Sequence, residues 1–240
     1  MARLASSTNA LRCQSVRDGG HYVKVILFGA TGMVGQGVLR ECLLDPNVSH
    51  AVSIVRNPTC QQHAKLTELI LKDSFDYTGV ESQLTGYDAC FYCLGVSSSG
   101  MTEEGYSRLT YDITMAAAHS LVRLNPSMTF IFVSGTGTDS TEQGHTMWAR
   151  VKGKTENALL HLPFKAVYIF RPAGIQPLHG IQSRTPYRVL YALAKPVFPL
   201  LKLLLPNHIT TTEHLGRAMI RVAKNGFPKP ILEAREINQT

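Results

Sequence analysis

The sequence predicts an α/β fold of the doubly wound kind, a single domain whose parallel sheet lies between layers of helices. Three observations carry that prediction. Val23 to Phe28 is a short apolar run rich in β-branched residues, the pattern of a strand buried on both faces. Gly29, Gly32 and Gly35 follow at a spacing of three, and Val34 to Leu44 takes up a helical pattern. Strand-like runs then alternate with helical stretches as far as Phe170, as successive βαβ units require.

The glycine stretch, Gly29-Ala30-Thr31-Gly32-Met33-Val34-Gly35, is the first candidate site. The first glycine permits a tight strand-to-helix turn, the second lets backbone approach a pyrophosphate, and the third lets helix and strand pack closely. Free N–H groups at the helix start, from Thr31 to Val34, and the helix dipole favour bound phosphate. A bare glycine triplet is a weak signal; its place between strand and helix strengthens it. The other reading is a glycine-rich turn with no ligand.

Composition narrows the classes. The 240 residues, 44% hydrophobic and 17% charged, suffice for one α/β domain with a sizeable core. A net charge of +7 fits anionic partners such as a phosphate-rich cofactor or acidic lipid. The basic residues are scattered and no nucleic-acid module is recognisable, so no nucleic acid is expected, and no metal site either. Five cysteines without a signal peptide point to a reducing compartment. Cys90 and Cys93 form a C-x-x-C in a predicted strand, where residues three apart face opposite ways, which argues against a redox pair.

Residues 1–22 stand outside the pattern. Arg3, Arg12 and Arg17 with several Ser and Thr, and no acid before Asp18, resemble a mitochondrial transit segment. A flexible extension is the reading we favour, which makes the expected location cytoplasmic and mitochondria the alternative. The domain is expected over 23–240, with a helical lid region toward its C-terminus.

Strand two, Ala51 to Val55, ends at Arg56. An acid there would bond the ribose 2′-hydroxyl of NAD, whereas a basic residue accommodates a 2′-phosphate. Arg56 therefore favours NADP, with NAD the lesser choice; a solvated arginine is the alternative. Strand three, Leu66 to Leu71, ends near Asp73, which either reaches an adenine edge or forms a turn. Strand four, Ala89 to Cys93, closes on Leu94-Gly95-Val96-Ser97, where small residues would let a cofactor's ribose and phosphates lie against the backbone.

A long helix is predicted from Thr102 to about Leu124, strand five over Met128 to Val133, a helix over Thr146 to His161, and strand six over Ala166 to Phe170. Ser134 and Arg171 thus fall at strand ends, where ligands of such sheets lie. Arg188 to Leu205 is very apolar but interrupted by Lys195, Pro196, Pro199 and Lys202; it reads as a lid or an amphipathic stretch capable of peripheral membrane contact, and poorly as a spanning helix. A helix capped at Thr212-Glu213 and a final strand over Ile231 to Ile237 complete the prediction.

Together the glycine stretch, Cys93-Leu94-Gly95, Val133-Ser134-Gly135, Val151-Lys152-Gly153-Lys154 and Phe170-Arg171-Pro172-Ala173-Gly174 resemble the atypical short-chain dehydrogenase/reductases, nearest the Tat-interacting-protein-like and NmrA-like NAD(P)H-binding proteins. The resemblance implies a Rossmann-type domain, an NADP(H) site that also takes in Lys152, Arg171 and Pro172, and a small carbonyl substrate. It also implies Tyr-x-x-x-Lys chemistry, with Ser134 orienting the carbonyl, Lys152 holding the nicotinamide ribose and a Tyr as acid/base. Trp148 stands where that Tyr belongs, four residues before Lys152 on the same helix face. Indole offers an N–H donor but no exchangeable proton near neutral pH. A cofactor-binding regulator or weak oxidoreductase is therefore expected; the alternative is an active reductase with another donor, His145 among the candidates.

Overall fold

The computed structural model describes residues 22–179 and 208–240. Its first half runs β1 (Val23–Phe28), α1 (Met33–Leu44), β2 (Val48–Val55), β3 (Leu66–Ile70) and β4 (Ala89–Tyr92). A helical tract follows as α2 (Glu103–Ser107), a π turn (Arg108–Asp112) and α3 (Ile113–Leu124). Then come β5 (Thr129–Val133), α4 (Met147–Leu160), β6 (Ala166–Arg171) and β7 (Gly174–Gln176). Beyond the undescribed stretch lie β8 (Ile209–Thr211), α5 (Thr212–Asn225), β9 (Ile231–Glu233) and α6 (Ala234–Gln239).

Seven strands form one parallel sheet in the order β3-β2-β1-β4-β5-β6-β9, and β7 pairs with β8 in a separate parallel ribbon. The order reverses between β1 and β4. In an open α/β sheet a ligand crevice opens at such a reversal, outside the carboxyl ends of the strands.

The apolar runs of the strands follow from burial on both faces. Val23, Val25 and Leu27 of β1 pack with Leu39, Cys42, Leu215, Met219 and Ile237 of α1, α5 and α6. Ile26 and Phe28 face the opposite way, into a layer with Ala118, Leu121 and Leu159 of α3 and α4. Each fully buried Leu, Ile or Phe in these layers contributes about 1.5–3 kcal/mol by removal from water. Cys90 lies in the α3/α4 layer and Cys93 packs against the other, so the two thiols sit on opposite sides of the sheet. Both are unpaired.

Several boundaries differ from expectation. The predicted helix from Thr102 to Leu124 is continuous but contains the π turn, and Thr102 caps it, its hydroxyl accepting from the Gly105 N–H at 3.2 Å. The final strand stops at Glu233, where a capping box with Glu236 starts α6 instead. Thr211 rather than Thr212 caps α5, its hydroxyl accepting from the His214 N–H. The apolar Arg188 to Leu205 stretch lies outside the described residues. Among the described residues no helix is long and apolar enough to cross a membrane.

Arg171 at the end of β6 locks three elements together. Its guanidinium grips the fully buried Glu156 of α4, through Nε at 3.1 and 3.2 Å and through its terminal nitrogen as well. It also donates to Glu233 of β9 at 3.1 Å and to the Ser140 hydroxyl at 2.6 Å. Removing one partner of a buried pair strands the other charge and costs about 3–5 kcal/mol. Arg171→Met is expected to lower unfolding stability by that amount in urea titrations. The double variant with Glu156→Leu should recover most of the loss.

Candidate functional site

At the reversal, the β1–α1 turn is pressed against the end of β4. Gly29 holds a φ of +79°, open to glycine, and a Cβ there would lie 2.6 Å from the Leu94 nitrogen. A Cβ on Gly35 would lie 2.0 Å from the Gly29 carbonyl oxygen, so no larger residue fits. Gly32 differs: its Cβ would meet only that oxygen, at 3.4 Å, and would otherwise project into solvent. Gly32 is also the N-cap of α1, and no side chain caps this end. The first-turn N–H groups are therefore without a side-chain acceptor, and the turn carries no acid. That suits an anion held by backbone. Thr31 is exposed, and Met33 and Val34 are half-buried beside it.

Beside this turn a cleft of about 140 Å³ opens between the ends of β1, β2 and β4. Gly29, Thr31, Arg56, Ser74, Tyr77 and Leu94 are among its lining. Arg56 is exposed and forms no ion pair with any described residue. The apolar floor, with Ile54, Leu71 and the Tyr77 ring, suits a planar base, and the phosphate-favouring turn stands at its side. These residues fit the base and phosphate of a nucleotide. Asp73 is not part of the lining; its carboxylate accepts from the Phe75 N–H at 2.9 Å, as a turn-forming Asp does. Cys93 donates its N–H to the Phe28 carbonyl at 3.0 Å, and Gly95 is exposed just beyond. Tyr77, Leu109 and Ile113 complete the cleft from a loop, the π turn and the start of α3, positions that no motif marks.

Further along the strand ends lie the residues expected to face a substrate. Ser134 is buried, its hydroxyl 3.1 Å from that of Thr138. Thr138 donates to the Gly135 carbonyl at 2.8 Å, so Ser134 is the donor in the pair. Trp148, half-buried in the first turn of α4, reaches toward Gly137, where a Cβ would lie 3.6 Å from its ring. Lys152, one turn later, lies with its Nζ 5.6 Å from the centre of the Phe132 ring. Burial pushes its ammonium down to about 8, with the charge of Glu156 opposing in part. Arg171 and Pro172 contribute backbone here: the Arg171 carbonyl accepts from the Thr136 hydroxyl and that of Pro172 from the Thr136 N–H, both at 3.0 Å. The Arg171 guanidinium is committed to Glu156, Glu233 and Ser140. His145 is exposed in the loop before α4.

No family model matches the chain. Over 158 residues it is 28% identical to the protein fmp52, mitochondrial, of Emericella nidulans, covering 63% of this chain and 66% of that one. It is 23% identical over 151 residues to protein HTATIP2 of Rattus norvegicus, covering 62% and 61%. The matched stretches thus span just under two thirds of each of these relatives. Among solved structures, Gre2 of Candida albicans in complex with NADPH superposes with a TM-score of 0.67 at 14% identity, over 88% of this chain and 77% of that one. WbmF of Bordetella bronchiseptica in complex with NAD+ gives 0.63 at 13% identity, over 92% and 78%. These likenesses show the fold.

The contrast between Gly32 and Gly35 yields a test. Gly32→Leu is expected to fold normally yet lose NADPH binding in titration calorimetry, since its side chain would fill the open face of the turn. Unchanged affinity would mean that the pyrophosphate does not lie there.

Proposed function

We propose that this member of the atypical short-chain dehydrogenase/reductase superfamily binds NADP(H) in the cleft beside the β1–α1 turn and serves as a cofactor-binding regulator or a weak oxidoreductase. The observation that carries the cofactor preference is Arg56, unpaired among the described residues on the cleft rim, with no acid at the end of β2. Guanidinium matches a 2′-phosphate in forked geometry, and an acid would repel it. A charge-assisted contact of this kind contributes about 1.5–3 kcal/mol. The native chain should therefore prefer NADPH to NADH at least tenfold in calorimetry, and Arg56→Ala should erase most of that preference. Equal affinities in the native chain would exclude it.

Trp148 is the reason to expect little turnover. It occupies the position of the acid/base Tyr, one turn before Lys152, and cannot deliver a proton near neutral pH. Acid/base assistance supplies about 10²–10⁴-fold, so its loss alone lowers carbonyl reduction to a small residue. The second reading, an active NADPH-dependent reductase of small carbonyls, is favoured by the free amine of Lys152 beside it. The name of the fungal relative supports a mitochondrial address, as do Arg3, Arg12 and Arg17 in an acid-poor leader. Installing the missing residue tests the main reading: Trp148→Tyr should raise reduction of aldehydes, ketones or quinones above the native floor. Vigorous native turnover that survives Trp148→Phe would refute it.

A further inference from the structure

The amine of Lys152 stands apart from the other charged groups of the inner site. It is half-buried, lies over the Phe132 ring, and makes no hydrogen bond or ion pair with any described residue. The carboxylate best placed to pair with it is Glu156, one helical turn further along α4. That carboxylate is held by Arg171 from β6, which leaves no second counter-ion among the described residues. Along α4, Trp148 lies one turn before Lys152 and Glu156 one turn after; β5 presents Phe132 beneath the amine, and β6 presents Arg171 through its pair with Glu156. The Ser134 hydroxyl, just beyond β5, is bonded to Thr138 as donor and so has no proton free for a ligand in this arrangement.

We propose that Lys152 is itself the proton donor of this site, standing in for the missing Tyr because Arg171 keeps the neighbouring carboxylate away from it. This rests on the dinucleotide-binding reading above. In the step, a reduced nicotinamide dinucleotide supplies hydride to the carbonyl carbon. One N–H bond of the Lys152 ammonium breaks as an O–H bond forms at the carbonyl oxygen, giving the alcohol and a neutral amine. The amine then regains a proton from solvent. Its lowered affinity for protons, about 8 against an ordinary 10.5, places donor and recovery within the working range.

The sign of the pH dependence follows. Below about pH 8 the ammonium is present and reduction proceeds at its plateau; above it the proton is gone and the rate falls. Oxidation of an alcohol needs the neutral amine and should rise through the same range. Lys152→Arg keeps the positive charge and hydrogen-bond donors but cannot release a proton in this range.

The decisive experiment pairs binding, rate and labelling on the full chain. Calorimetry with NADPH on the native chain and on Lys152→Arg fixes the concentration that saturates each, so that their rates are compared with cofactor bound. Reduction of a carbonyl panel should fall about 10²–10⁴-fold in the variant, with loss of the inflection near pH 8. Competitive acetylation read by mass spectrometry should show the native Lys152 titrating near pH 8, protected by NADPH, and well below the exposed lysines. Reduction by Lys152→Arg at the native rate, or titration of Lys152 with the surface lysines, overturns the donor role and leaves the binding reading intact. So does a native chain that binds NADPH but reduces no member of the panel. Failure of the native chain to bind NADPH overturns both.

Discussion

Three backbones meet at the β1–α1 turn with no room for a side chain between them. The Gly29 carbonyl lies against Gly35, and the Gly29 Cα against the end of β4 at Leu94. Everything functional is measured from that contact. It lets α1 start directly over the end of β1, with its uncapped N–H groups directed outward. It also brings the ends of β1 and β4 close enough to share one cleft with the end of β2 and its Arg56. Looser packing would part the phosphate-favouring turn from the apolar floor of the cleft.

A second constraint is electrostatic. The interior behind the site holds three charged groups, Lys152, Glu156 and Arg171, and the helix places the first two within reach of each other. Arg171 resolves the competition because its planar fork satisfies both carboxylate oxygens and still reaches Ser140 and Glu233. The lysine remains half-buried over the Phe132 ring, without an ion-pair partner among the described residues. The β6–α4 contact and the unpaired amine of Lys152 thus come from one arrangement of charge.

Much of this was legible in the chain itself, and the reasons are local. Val23 to Phe28 announces a buried parallel strand because both faces must be apolar. Gly29, Gly32 and Gly35 announce the turn by their spacing; backbone crowding leaves no other residue type at Gly29 and Gly35, while Gly32 stands open. Trp148 and Lys152 are readable as a pair because helical spacing alone sets them on one face. The unreadable parts depend on distant segments. Nothing near Arg171 foretells that Glu156, Ser140 and Glu233 will converge on it, so its guanidinium looked available for a cofactor. Tyr77 enters the cleft from a loop with no motif. The three-residue strands β7 and β8 are too short to show a period, and the π turn leaves no mark in the helical pattern. The Glu233-x-x-Glu236 spacing was a usable signal for the start of α6, overshadowed by the apolar Ile231 and Leu232.

Glu233 has a role in time as well as in space. It accepts from Arg171 across 62 residues of sequence and, by its capping box, starts the C-terminal helix. During synthesis β6 and its arginine emerge well before that partner exists. The early strands can assemble while Arg171 has only Glu156 and Ser140, both made before it, to neutralise and orient it. Completion of the charge cluster behind the site therefore waits for a residue made 62 positions later. A nascent chain can hold a formed glycine turn while the setting of Lys152 is still unfinished.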